Sequence, residues 1–228
     1  GTYDPSDPDI RFAARRKNEP EVQFATKPPN SPNERVRNLA RGYMQSIGGV
    51  YDERPGEYVS IDPVYGMEIA DAFDAMQHEP NNPQVVASYN ALKQETRDQY
   101  DYLVSNGVQL IPWAGKGEPY PFPNGSKLMV KDVSENQRLY YFKTINPEED
   151  ISFGQGEDIQ DNTLLESANR PVLDSAGNMH NQTYNDLFRA VHDYFGHAKE
   201  GFGFGPRGEE NAWLVHSRMY GTNARQAM

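Results

Sequence analysis

Two histidines, His192 and His197, bracket an acid, two aromatics and a glycine in the hexapeptide HDYFGH, in a chain with five histidines and no cysteine. Without cysteine there are no thiolate metal sites, disulfides or cysteine nucleophiles, so any bound ion must sit on imidazole nitrogen or carboxylate oxygen. On a straight α-helix, positions five apart are separated by about 140° around the axis. Sharing one ion therefore requires a local distortion or a site near a helix end, and Gly196 would permit either. The competing expectation is that the hexapeptide is the packed end of an ordinary helix.

Downstream, glycines at 201, 203, 205 and 208 lead into Glu209 and Glu210. Such a run allows close backbone approach, and acids suit the positive end of a helix that follows. Glu209, Trp213, His216 and Tyr220 then share one helical stripe that mixes polar and aromatic groups, as the wall of a pocket would. Glu209 and His216 are about 10.5 Å apart along the axis, so a straight helix cannot bring both to one ion. One of them is expected to meet the histidine pair and the other to orient a ligand. For the third ligand the choice is between Glu209 and Glu210, which alone follow the loop that can fold back. The reading assigns His192, His197 and Glu210 to the metal, with Asp193, Glu209 and His216 as catalytic or supporting groups.

The segment VHDYFGH resembles the H-[DE]-x-x-G-H iron-ligand segment of the aromatic amino acid hydroxylases. This resemblance implies that His192 and His197 ligate non-haem Fe(II), with Asp193 in the acidic supporting position; Zn(II) is the other divalent ion considered. It covers this short segment only, and Ala198-Lys199 stands where the family has Val-Pro. The family's glutamate lies far enough downstream to fall beyond Met228. Either Glu209 or Glu210 substitutes for it, or the native chain continues, as the ending NARQAM without a Gly or Pro stop suggests. Residues 183–228 also resemble a segment of uncharacterised tailed-bacteriophage proteins, some virion-associated. That likeness implies virion or other phage proteins as partners and a location in the host cytoplasm or the virion. A virion structural or packaging-associated domain, with the polar cluster as a packing network, is the rival to a metal-dependent enzyme.

The expected fold class is α+β, a mainly helical framework with a small antiparallel sheet in mid-chain. Residues 1–31, rich in Pro, Asp and Asn, read as a flexible arm, and 32–228 as a single domain. Ser31-Pro32, Asp62-Pro63 and Asn82-Pro83 each pair a capping residue with a proline that opens a helix. The first helix should bury Val36, Leu39, Ala40, Tyr43 and Ile47. The second should bury Ile69, Ala72, Phe73 and Met76, and the third Val86, Tyr89, Leu92, Thr96, Tyr100 and Leu103, with these two forming an antiparallel hairpin. VQLIPW, KLMVKDV and RLYYFKTI read as three strands, and 164–182 as an irregular stretch with a turn near Gly177. Thr183 and Asp186 form a capping box that opens the histidine helix.

Net charge is −11, with 9 Lys/Arg against 9 Asp/Glu in residues 1–60 and 13 against 24 thereafter. An acidic body excludes a broad nucleic-acid surface, which needs basic residues to neutralise phosphates. Arg15-Arg16-Lys17 reads as a solvated cluster, Gly115-Lys116-Gly117 lacks the rest of a phosphate loop, and the acidic stretch 146–161 lacks EF-hand spacing. No apolar run approaches a membrane span.

Overall fold

The computed structural model describes residues 27–53, 58–60, 62–115, 117–122, 125–144 and 161–228. Most of the expected arm, the basic cluster at 15–17, Lys116 and nearly all of the acidic stretch lie outside these residues. Within them the framework is mainly helical: α1 Glu34–Ser46, α2 Pro63–Ala75, α3 Pro83–Ser105, α4 Ser126–Asn136, α5 Tyr184–His192, a π-helix Asp193–Ala198, α6 Pro206–Ser217 and the short α7 Thr222–Arg225. Two small two-stranded sheets complete it, β1 Gln109–Trp113 with β2 Arg138–Phe142 and β3 Ser167–Leu173 with β4 Met179–Thr183. No helix among the described residues is long and apolar enough to cross a membrane.

KLMVKDV is helical, contrary to the strand expected. Its β-branched residues favour a strand, but Met129, Asp132 and Val133 are buried at spacings of three and four, the period of one helix face. Packing overrides local preference here. Gln137 closes α4 in the left-handed region at φ 52°. With a helix between them, β1 and β2 are joined by a crossover, and they run parallel, Gln109 opposite Arg138 and Trp113 opposite Phe142. The antiparallel pair lies later, where an irregular stretch was expected. Asp174 Oδ1 accepts from Ala176 N and Asn178 N at 3.0 and 2.9 Å, tightening the turn that connects β3 to β4.

The main core joins α1, α3, α4, β1, β2, α5 and the π-helix through side chains such as Val36, Tyr43, Leu103, Met129, Leu139, Tyr141, Leu187 and Phe195. Val36, Ala40 and Tyr43 of α1 are buried as the period requires, whereas Leu39 is partly buried and Ile47 exposed. Asn33, not Ser31, caps this helix, accepting from Val36 N at 3.2 Å. On α3, Leu92, Thr96, Tyr100 and Leu103 face inward while Val86 is exposed.

Helix α2 opens at Asp62-Pro63 as expected, with Asp62 as its cap, but its apolar face is not buried. None of its residues is buried, and Ile69, Phe73 and Met76 are exposed, Phe73 at 70 %. An apolar stripe at helical spacing records that a face can be covered, not that this chain covers it. The α2 face therefore does not supply the core contacts a packed α2–α3 hairpin would require.

Candidate metal centre

Thr183 opens α5 with the expected box: its hydroxyl accepts from Asp186 N at 3.1 Å, and Asp186 Oδ2 accepts from Thr183 N at 2.9 Å. Asp186 is fully buried, and its carboxylate also meets His180 Nε2 at 3.2 Å, so His180 helps hold the helix start. Beyond His192 the helix widens into the π-helix. Hydrogen bonds closing over five residues bring positions five apart back toward one side, which is the distortion the HDYFGH spacing demanded.

Gly196 makes that widened turn compatible with α6. A Cβ there would stand 3.1 Å from Ala212 O, 3.2 Å from Ala212 Cβ and 3.2 Å from His192 Cε1. The glycine loop then folds α6 back across the histidines. Gly201 adopts φ +76° against the backbone of Asn30, and a Cβ on Gly208 would fall 1.8 Å from Gly203 O. Side chains at either place would hold the two segments apart.

These elements bring together His192, His197 and Glu209, whose ligand atoms all lie within 4.8 Å of one another. His197 Nε2 is 3.1 Å and His192 Nε2 3.6 Å from the same oxygen, Glu209 Oε2. His197 is buried, His192 half-buried and Glu209 about half exposed, so the centre sits at the surface edge of the core. Glu210 is not among the converging groups. One step along a helix turns a side chain by about 100°, and that rotation separates the two adjacent acids.

The donor set fits a divalent cation. His197 Nδ1 lies 3.4 Å from the carbonyl of Phe202, an acceptor, so Nδ1–H donates there and Nε2 is the nitrogen turned toward Glu209 Oε2. Burial alone would raise the Glu209 carboxyl, but hydrogen bonds from His192 and His197 outweigh it and hold the group down at about 2. For His197 burial works against charge, yet the Glu209 hydrogen bond and Asp193 prevail and raise it. Together the two imidazoles and the carboxylate present two nitrogens and an ionised oxygen on one side, with one edge toward solvent.

The other assigned residues lie around this trio. Both histidines of the trio have their Nδ1 facing groups other than Asp193: Phe202 O for His197 and His216 Nδ1, at 3.2 Å, for His192. Asp193 therefore acts as a nearby charge; burial raises its carboxyl, and the histidines oppose that rise. His216 is fully buried, and burial pushes it well below the usual histidine range. Glu209 and His216 thus approach His192 from opposite sides, the imidazole ring bridging the axial distance between them. Trp213 and Glu209 are exposed whereas His216 and Tyr220 are buried, so the anticipated stripe does not line one continuous wall.

Sequence reasoning missed Gln99, on α3, whose Oε1 is 2.8 Å from His216 Nε2. The signal was present: Gln99 is three positions after Thr96 and four before Leu103, a polar residue on the buried stripe. Phe188 stacks on His192 at 5.7 Å and Phe204 lies 4.7 Å from His197, giving the centre aromatic flanks. Comparison of the chain with protein-family models, curated proteins and solved structures finds no match.

Proposed function

We propose that this is a phage-type metalloprotein in which His192, His197 and Glu209 hold one divalent cation, Fe(II) ahead of Zn(II), for metal-dependent catalysis. The observation that carries the proposal is the convergence of two imidazole nitrogens and one carboxylate oxygen within 4.8 Å. Two histidines and a carboxylate on one side of an ion leave positions opposite for oxygen or substrate, the arrangement that suits non-haem Fe(II). A bound Fe(II) would supply oxygen activation. The chain's part is to hold the donors: the π-helix aligns the imidazoles, Phe202 O orients His197, and Phe188 and Phe204 shield the flanks with apolar surface. Asp193, near both histidines without occupying their Nδ1 positions, adds negative charge that favours a cation in the cluster. The phage setting draws its support from the resemblance of residues 183–228 alone.

Protein purified without a histidine tag and titrated anaerobically with Fe(II), and separately with Zn(II), tests the reading. One ion per chain, lost on replacing His192 or His197, is the expected result. If no divalent ion binds at micromolar concentration, the cluster is a packing network and the virion structural reading takes its place.

A further inference from the structure

We infer that the short strap 58–60 is a positioning device for the metal centre: Arg207 and Asn211 grip its backbone from α6, and that grip holds the first turn of α6, with Glu209 on it, against the histidines. The inference rests on the metal reading for its purpose and adds a regulation of that site, since metal affinity becomes coupled to the seating of the strap. Asn211 is buried and reads both backbone groups of one residue, as a neighbouring strand would. Its Oδ1 accepts from Val59 N at 2.8 Å, and its Nδ2 donates to Val59 O at 2.9 Å. Arg207 Nε donates to the same carbonyl at 3.1 Å, and Arg207 Nη2 donates to Tyr58 O. The guanidinium also lies over the Tyr58 ring, 4.3 Å from its centroid. That ring stacks on Phe202, centroids 5.6 Å apart, and packs against a small apolar cluster of Phe202, Ala212 and Val215.

The helix end needs this support. Gly205 opens α6 with no side chain to cap it, and Glu209 belongs to the first turn. The N–H groups of such an end lack intrahelical partners, so it holds less firmly than the middle of the helix. Glu209 N donates to Gly205 O at 2.9 Å, and opening that bond would carry the carboxylate away from the imidazoles. Arg207 and Asn211, four positions apart, share one face of α6, and Glu209, two positions from each, points about 200° around the axis from them. The strap therefore braces α6 on the side away from the histidines and acts on an ion only through the helix. Phe202, beneath the Tyr58 ring, is also the residue whose carbonyl faces His197 Nδ1. One segment thus steadies both the loop and the helix that build the site. Linkage makes the effect reciprocal: an ion that fixes Glu209 favours the seated strap by the same factor.

Amide hydrogen exchange and Zn(II) titration on the full chain test the coupling. In the metal-free protein, Tyr58→Ala and Asn211→Leu should each speed exchange at the Glu209 amide about 5 to 150-fold. Leu103, in the main core, should keep its rate, which separates local release from loss of the whole fold. Zn(II) affinity should fall by a similar factor, and saturating Zn(II) should slow exchange at the Val59 amide of the unsubstituted protein. Glu209 exchange within twofold of the original in a folded variant overturns the inference. So does Zn(II) affinity within twofold of that of an unsubstituted protein that binds the ion. Should Asn211→Leu, at a buried position, fail to fold, Tyr58→Ala decides. If the unsubstituted protein binds no Zn(II), the metal reading fails, and the Glu209 amide still decides whether the strap holds the helix.

Discussion

The rings of His192 and His197 stand perpendicular, their centroids 5.1 Å apart, although five positions separate them in the chain. An unbroken α-helix would turn these side chains away from each other; the π-helix turns them back. Glu209 meets both rings through a single oxygen.

Substitution should separate ligands from neighbours. His192→Ala, His197→Ala and Glu209→Ala are each expected to abolish stoichiometric metal, read by elemental analysis of tag-free protein. Glu210→Gln and His78→Ala should retain it. Retention in Glu209→Ala with loss in Glu210→Gln would place the third ligand one residue on.

Asp193→Asn is expected to weaken metal binding by roughly fivefold, the effect of losing about 1 kcal/mol of charge attraction. A ligand-orienting hydrogen bond would cost more, about 10 to 100-fold. Isothermal titration with Zn(II) distinguishes the two.

The pH response should change sign with metal. In the metal-free protein, the raised His197 stabilises below the unfolded histidine value of about 6.5 and loses that contribution as pH rises through its higher folded value. The depressed Glu209 stabilises above its unfolded value of about 4.3 and loses it as pH falls toward about 2. This pair therefore favours mildly acidic conditions. Bound metal needs bare imidazoles, so it stabilises most at higher pH, where no proton competes. Melting temperatures against pH, with metal and with chelator, should show the optimum moving upward on metal addition.

Gly196→Ala sets local preference against packing. Alanine favours a helix over glycine by about 1 kcal/mol. At 3.1 Å from Ala212 O and 3.2 Å from His192 Cε1, however, a methyl group displaces α6 or the ligand ring. A net loss of about 1 to 3 kcal/mol is expected in chemical denaturation, together with weaker metal binding. Increased stability with unchanged metal affinity would show that the site tolerates the shift.

Phe73→Ala should change stability by no more than about 0.5 kcal/mol, since the side chain is exposed. A loss of about 3 to 5 kcal/mol, the range for a buried phenylalanine, would show that the α2 face is covered. Urea unfolding with unchanged slope decides.

Much of this architecture was legible where a residue has one physical reason to be where it is. Pro63 and Pro83 open helices, Thr183 and Asp186 close a box, and the HDYFGH spacing announced a distortion that the π-helix supplies. Identity among equals was harder: Glu209 and Glu210 share chemistry and context, and only the phase of α6 separates them. KLMVKDV carried both a strand's composition and a helix's period, and the period prevailed because Met129 and Val133 had a core to enter. The exposed stripe of α2 shows the converse, a period without a partner. Gln99 escaped notice because its role depends on His216, 117 residues away.

Asn30 and Asn33 are bound to the strand of chain that leaves the π-helix: Asn33 N donates to Lys199 O at 2.9 Å and Asn30 N to Gly201 O at 3.2 Å. Arg37 adds an ion pair with Glu200. These contacts close a loop of 171 residues, so nearly the whole described chain must be synthesised before the first helix finds its seat. Pairings so distant in sequence reward folding only late, after the entropy of closure has been met. During synthesis, α1 can meet α3 through Tyr43 and Tyr102, but its contacts with the chain that leaves the π-helix wait until the histidine segment emerges. Assembly of the metal centre and the final seating of α1 become one closing event, and a chain halted before Gly201 would lack both.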